Sequence, residues 1–375
     1  MTEVQYLSFD SLAEGVGASQ VLAYMLKVSK ECGVTIVSFE KNMPSEQDVL
    51  ELHKAGITWL PLPFGKFGTF GGLRRVFEMW KVVDRNRVIH ARSTLAALVA
   101  MLRFPKAWIW DCRALQADQR RALSEKKRRT LVFVFMRGIE HVLAKRATAI
   151  IVITKSVVPI LLDRYRIREG KITYIPTCVD MQRFKVSPTI KSKSLRILLA
   201  GTFSPAYDIN LINKIIYALK LKVNVTVTIA TSSGSTSLWE SIDYDEVTSV
   251  SHDHMSLLIQ NHDLGISLWS NDLGVCLKSV ASTKTAEFLA CGKPVFINSK
   301  QGDLGILIDD FGVGVATHGD SKKEIEAYCE QMLLLVGDEA LPGRCESLLL
   351  ENGFDLNSGV GTLTDLYSKL NSRLR

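Results

Sequence analysis

Ser279 to Val295 reads SVASTKTAEFLACGKPV. It starts polar, continues as a short apolar helix and ends in Gly292-Lys293-Pro294 before the apolar run Val295-Phe296-Ile297. Ser282 suits the N-cap, where a hydroxyl can accept an orphan backbone N–H of the first turn. Gly292 suits the position just past the helix, where a left-handed residue closes it, and Pro294 cannot continue it. A helix start carries partial positive charge and free N–H donors, so it can hold a phosphate. Lys284 adds a full positive charge in the first turn, and Glu287 lies three residues on, on the same face. Phosphates at the helix start and a ribose beside the carboxylate would fit this surface. The same letters also suit an ordinary buried helix with a solvated Lys–Glu pair.

Working outward, strand and helix patterns alternate. Strands are expected at 4–9, 34–39, 57–62, 87–90, 108–111, 149–153 and 172–176, with helices at 21–30, 74–83 and 95–102. A single long helix is expected from about Gln119 to Ala147. The polar, basic stretch 186–194 interrupts the pattern and reads as a linker. Alternation restarts at 195–201 and continues through 223–230, 264–268 and 295–297. Such alternation implies βαβ units with parallel, doubly covered sheets. Ligands of such sheets bind at the carboxyl ends of the strands.

The chain of 375 residues fits two domains rather than one core. Its hydrophobic content of 47% and mean hydropathy of +0.12 are high, so much of it is buried or lies on a surface. No apolar run approaches the ~18–20 residues of a membrane helix. The start, MTEVQYLSFDS, lacks the basic region of a signal peptide. Seven scattered cysteines without a C-x-x-C pair read as reduced thiols of a cytoplasmic protein.

Four stretches now come together. They are Ser8-Phe9-Asp10-Ser11 with Gly15-Val16-Gly17-Ala18-Ser19-Gln20, and Ile89-His90-Ala91-Arg92-Ser93 with Trp110-Asp111-Cys112-Arg113. The others are Tyr174 to Phe184 and the opening stretch from Ser282 to Val295. With these the chain resembles a family 4 glycosyltransferase. The resemblance covers nearly the whole length, and the last two stretches at this spacing are its specific part.

The resemblance implies the GT-B architecture: two Rossmann-like α/β/α domains facing a central cleft. The acceptor domain would span 1–185, the linker 186–194 and the nucleotide-sugar domain 195–354, with a C-terminal helix at 355–375 crossing back to the first domain. It implies retaining transfer of a sugar from a nucleotide diphosphate sugar. By resemblance, Glu287 would hold the ribose hydroxyls and Lys284 the diphosphate. Gly17, Gly201, Thr202, Ser282 and Thr283 complete the expected donor side. Gly15, His90 and Asp111 form the expected acceptor side, and Arg92, Arg113 and Lys284 are the expected catalytic group. Two departures stand out: Ser279 occupies the place of the family's first glutamate, and Gly201-Thr202-Phe203-Ser204 lacks its usual arginine.

Leaving diphosphate builds negative charge, and fixed cations near a helix start lower that barrier. No metal and no other cofactor are therefore expected. Asp243-Tyr244-Asp245 matches a D-x-D metal motif only formally and reads as a loop. Taken singly, His90 also suits a satisfied core histidine, and Arg92 and Arg113 suit structural ion pairs. The expected acceptor is a glycan or a lipid-linked sugar of cell-surface polysaccharide synthesis. A nucleotide-sugar epimerase, a phosphorylase or a non-catalytic subunit with a partner enzyme are the alternatives. From Gln119 to Thr130 six basic residues meet one Glu, giving +5, and Leu131 to Met136 follow. That combination suits an anionic membrane at its inner face, or a solvated helix face. Nucleic acid is not expected as a partner, since no basic–aromatic module appears.

Overall fold

The computed structural model describes residues 2–12, 17–66, 68–123, 129–186, 193–231 and 237–374. Gly15, Lys126, Lys127 and Arg128 of the sequence expectations lie outside the described residues, as do 187–192 of the expected linker.

The chain forms two compact units, Met1–Pro176 with Leu356–Arg375, and Thr177–Asp355. Unit 1 carries a seven-stranded sheet. Its strands are β1 (Thr2–Leu7), β2 (Cys32–Glu40), β3 (Ile57–Pro63), β4 (Val88–Arg92), β5 (Trp108–Cys112), β6 (Ala149–Val152) and β7 (Ile172–Tyr174). They lie in the order β3-β2-β1-β4-β5-β6-β7, every pair parallel. Burial on both faces explains the continuous apolar runs: β4 and β5 are buried at every position.

Unit 2 carries six parallel strands: β8 (Leu195–Ala200), β9 (Val225–Ala230), β10 (Glu246–Thr248), β11 (Leu264–Ser267), β12 (Val295–Asn298) and β13 (Gly314–Thr317). Their order is β10-β9-β8-β11-β12-β13. In each sheet the order reverses once, between β1 and β4 and between β8 and β11. Crevices at such switch points, beyond the carboxyl ends of the strands, are where doubly wound sheets take ligands.

Two readings are corrected. The long helix expected from Gln119 to Ala147 is instead two helices, Gln116–Leu123 and Arg129–Arg146, which pack on each other. The segment 177–185, expected with the first half, belongs to unit 2. Val179 donates to the Phe354 carbonyl at 2.8 Å, and Phe184 is buried in that unit's core. The C-terminal helix, expected at 355–375, runs Leu356–Asn371. It packs on β1, β4 and the helix Ala23–Val28 within unit 1.

Candidate functional site

In unit 2 the helix Thr283–Ala290 follows β11 and precedes β12. Its closure is the Schellman pattern: Lys293 N–H bonds the Phe288 carbonyl at 2.9 Å and Gly292 N–H that of Leu289 at 2.8 Å. Gly292 has φ +69°, and a Cβ there would come within 3.0 Å of Pro342, so glycine is required twice over. At the other end Ser282 takes the N-cap place with extended backbone, but its side chain makes no cap hydrogen bond. Sequence pattern placed the residue correctly and its bond wrongly.

Lys284 Nζ lies 2.6 Å from Glu287 Oε2. The Glu287 side chain is only 2% exposed and that of Lys284 23%. A solvated surface pair is therefore excluded. A buried carboxylate is held by a cation that still reaches solvent, at the positive end of a helix. Ser279, standing for the family's glutamate, is buried and its hydroxyl donates to the Cys276 carbonyl at 2.8 Å.

Gly201 and Thr202 follow β8, the strand next to β11, so they share this sheet edge with the helix start. Thr202 is exposed. Residues that the sequence did not mark complete this edge. Asn298, buried at the end of β12, accepts from Trp269 N–H at 2.7 Å and donates to its carbonyl at 3.0 Å. Trp269 stacks on Tyr207 with ring centroids 4.6 Å apart, and Tyr207 meets Phe203 at 5.1 Å. Burial pushes the Tyr207 hydroxyl up to about 12. Gln301 is buried with neither side-chain amide atom hydrogen-bonded.

The D-x-D match is accounted for otherwise. Asp243 pairs with Lys220 at 2.9 Å, and Asp245 accepts from Val227 N–H at 2.8 Å. Among the described residues no three His, Cys, Asp or Glu side chains gather as a metal site.

In unit 1 the expected residues assemble around Asp111 on β5. Its carboxylate lies 3.4 Å from His90 Nε2, 3.8 Å from Arg92 and 3.7 Å from Arg113. β4 and β5 are neighbours with Arg92 opposite Asp111, which is why one carboxylate meets all three. Arg92 also pairs with Asp10, beyond β1, at 3.2 Å. Arg113 donates to Gln20 at 3.3 Å. Burial works against charge on Asp111, but Arg113, His90 and Arg92 outweigh it and hold the carboxyl at about 2. Burial lowers the His90 pKa, with Asp111 opposing and the two arginines reinforcing. Burial likewise opposes charge on Arg92, yet Tyr6, Asp111 and Asp10 raise its pKa further.

Two partners were not legible. Tyr367, fully buried on the C-terminal helix, lies 2.6 Å from His90 Nδ1 through its hydroxyl. Tyr6 packs its ring on His90 at 4.3 Å. Burial raises the Tyr367 hydroxyl well above its ordinary value, so it stays protonated, and with the acceptor-only Asp111 carboxylate facing Nε2 it donates to His90 Nδ1. The imidazole proton then sits on Nε2, facing Asp111. Ser93, directly after Arg92, has φ +75°, a strained conformation for a serine at the switch point.

Gly17 opens a π-helical turn, Gly17–Leu22, and is buried. A Cβ there would overlap the Ser11 carbonyl oxygen, so the turn folds tightly over the segment that follows β1. That segment is pinned from below: Glu40 accepts from Leu12 N–H at 2.8 Å and from the Ser11 and Ser38 hydroxyls.

Comparison with known proteins gives the following. Residues 17–183 match the model described as Glycosyltransferase Family 4. No curated protein sequence matches the chain. Among solved structures, a sucrose-phosphate synthase from Thermosynechococcus elongatus superposes with a TM-score of 0.75 at 14% identity, covering 99% of this chain and 100% of that one. HepE from Anabaena, solved in complex with UDP-glucose, gives 0.70 at 14%, covering 99% and 100%. WaaG, a glycosyltransferase involved in lipopolysaccharide biosynthesis, gives 0.66 at 13%, covering 97% and 99%. These likenesses carry the fold, and the two doubly wound sheets are those of the expected GT-B architecture.

Proposed function

We propose that this chain, which has the GT-B architecture and matches the Glycosyltransferase Family 4 model over residues 17–183, moves a sugar from a nucleotide diphosphate sugar. The transfer is retaining and needs no metal or other cofactor. The acceptor is a glycan or a lipid-linked sugar of cell-surface polysaccharide synthesis, met in the cytoplasm at the membrane's inner face. The observation that carries this reading is the buried Glu287 paired at 2.6 Å with Lys284 at a helix start. Glu287 offers a carboxylate to the ribose hydroxyls. Lys284 and the first-turn N–H groups meet the diphosphate, and their fixed charge stabilises the leaving oxygen as the glycosidic bond breaks. HepE with UDP-glucose supports a donor of this class, and WaaG supports a cell-surface product.

The test is thermal stability with a panel of nucleotide diphosphates and their sugars, in excess chelator. A ligand at about 100 times its dissociation constant adds about 2.7 kcal/mol. One nucleotide should stabilise the wild type and not Glu287→Ala. No response across the panel, or a response that needs Mg²⁺ or Mn²⁺, would overturn the reading.

A further inference from the structure

We propose that one helical layer of unit 1 is a docking face for an anionic lipid bilayer, formed chiefly by the helices Thr69–Val82 and Arg129–Arg146. The inference deepens the membrane-side reading above, on which it rests, by naming the surface. The two helices flank a third, Ser93–Leu102, and each packs against it, so they form one layer. On the first, Phe70, Leu73 and Phe77 recur at helical spacing and stand 90%, 63% and 53% exposed. On the other, Leu131, Val134 and Phe135 form a second stripe, 84%, 59% and 69% exposed. A water-soluble face seldom shows so many large apolar side chains together. The sequence pattern pointed only to the second stripe.

Charge decides what covers them. The described carboxylates of this layer are already engaged. Asp118 is held between Arg137 and Arg164, at 2.8 and 2.9 Å. Glu140 is buried with Tyr165, and Glu78 is matched by Lys81. Arg74, Arg120 and Arg121 remain exposed, with no carboxylate partner among the described residues. The face thus pairs apolar side chains with exposed arginines. Acyl chains would take the first and anionic headgroups the second. A second copy of the chain fits poorly, because a two-fold interface would bring two positively charged patches together. None of these helices is long and apolar enough to cross a membrane, so the mode is peripheral.

The experiment is co-sedimentation of the full chain with vesicles, either phosphatidylglycerol mixed with phosphatidylcholine or phosphatidylcholine alone. The wild type should bind the anionic vesicles, more weakly in high salt, and leave the neutral ones. The variant Phe70→Ser/Leu131→Ser/Phe135→Ser should bind about a hundredfold more weakly. Its melting temperature should not fall, because all three side chains are exposed. Arg120→Glu/Arg121→Glu should weaken binding separately and flatten the salt dependence. Wild-type protein that ignores anionic vesicles in low salt overturns the proposal, as does a triple variant that binds as well as wild type. Self-association that the triple variant abolishes, without vesicle binding, assigns the face to a second copy instead. Nucleotide binding measured without vesicles keeps this test apart from that of sugar transfer.

Discussion

The two charged centres of this protein are built on opposite principles. In unit 2 the pair Lys284–Glu287 is local, three residues apart on one helix, and its cation reaches solvent. In unit 1 the centre is assembled from β4, β5, the segments after β1 and β5, and the C-terminal helix, and its cation and carboxylate are both buried. The local pair can lose its carboxylate, because the Lys284 cation can turn to water. A buried network cannot, because removing one charge strands another in a low-dielectric interior. Unit 2's centre should therefore tolerate loss of Glu287 structurally and fail functionally, and unit 1's should fail in both ways.

The largest expected effect follows from Asp111. Asp111→Ala leaves Arg92 and Arg113 with their shared counter-charge removed, and should cost about 3–5 kcal/mol of stability in chemical denaturation. A cost below about 1 kcal/mol would mean that Asp10 and water already balance Arg92, and the contrast between the units would collapse. Glu287→Gln should cost less than about 2 kcal/mol, since Lys284 can swing outward. A loss as large as that of Asp111→Ala would erase the contrast from the other side.

Acid sharpens the same comparison. The folded-state pKa values of His90 and Asp111 are both depressed, so the folded state binds fewer protons than the unfolded chain. Stability from His90 is whole above its unfolded value, about 6.5, and falls as pH drops below it. Asp111 adds a second loss as pH falls from about 3.9 toward 2. Each limb is limited to about 1.4 kcal/mol per pH unit. Urea titrations across pH should show His90→Gln lacking the upper limb and keeping the lower. An unchanged upper limb in that variant would assign the acid loss to other groups.

The smallest effect concerns Tyr367. Tyr367→Phe should cost about 1 kcal/mol. It should also release His90 from a single tautomer, visible in the ¹⁵N shifts of the labelled imidazole. Wild-type and variant shifts that coincide would show that Asp111, not Tyr367, sets the proton's place.

How much of this was legible follows from the same contrast. The helix Thr283–Ala290 was readable from Ser282 to Pro294 because capping, periodicity and the i,i+3 pair are local properties. His90, Arg92, Asp111 and Arg113 could be named as strand-end residues, yet their partners could not. Tyr367 sits among Leu363, Leu366 and Leu370, where it looks like one more apolar position, and its hydroxyl meets a residue 277 positions away. The helices Gln116–Leu123 and Arg129–Arg146 read as one because the sequence from Arg120 to Arg129 is mostly good helix formers. The edge strand β10, three residues long with two exposed, is too short to show a period.

Unit 2 is inserted between Pro176 and Leu356, so unit 1 is begun first and finished last. On the ribosome, β1 and β4 emerge about 15–70 s before the helix Leu356–Asn371 that covers them, at 5–20 residues per second. During that interval the apolar surface that Leu363, Leu366, Tyr367 and Leu370 will bury has no cover of its own, and His90 lacks its hydroxyl donor. Nascent unit 1 is thus a natural client for a chaperone, while unit 2 can close as soon as its own strands are out. Limited proteolysis of ribosome-bound chains stalled beyond Asp355 should find unit 2 protected and unit 1 cleavable. Equal protection of both would show that the last helix is a lid on a unit already folded.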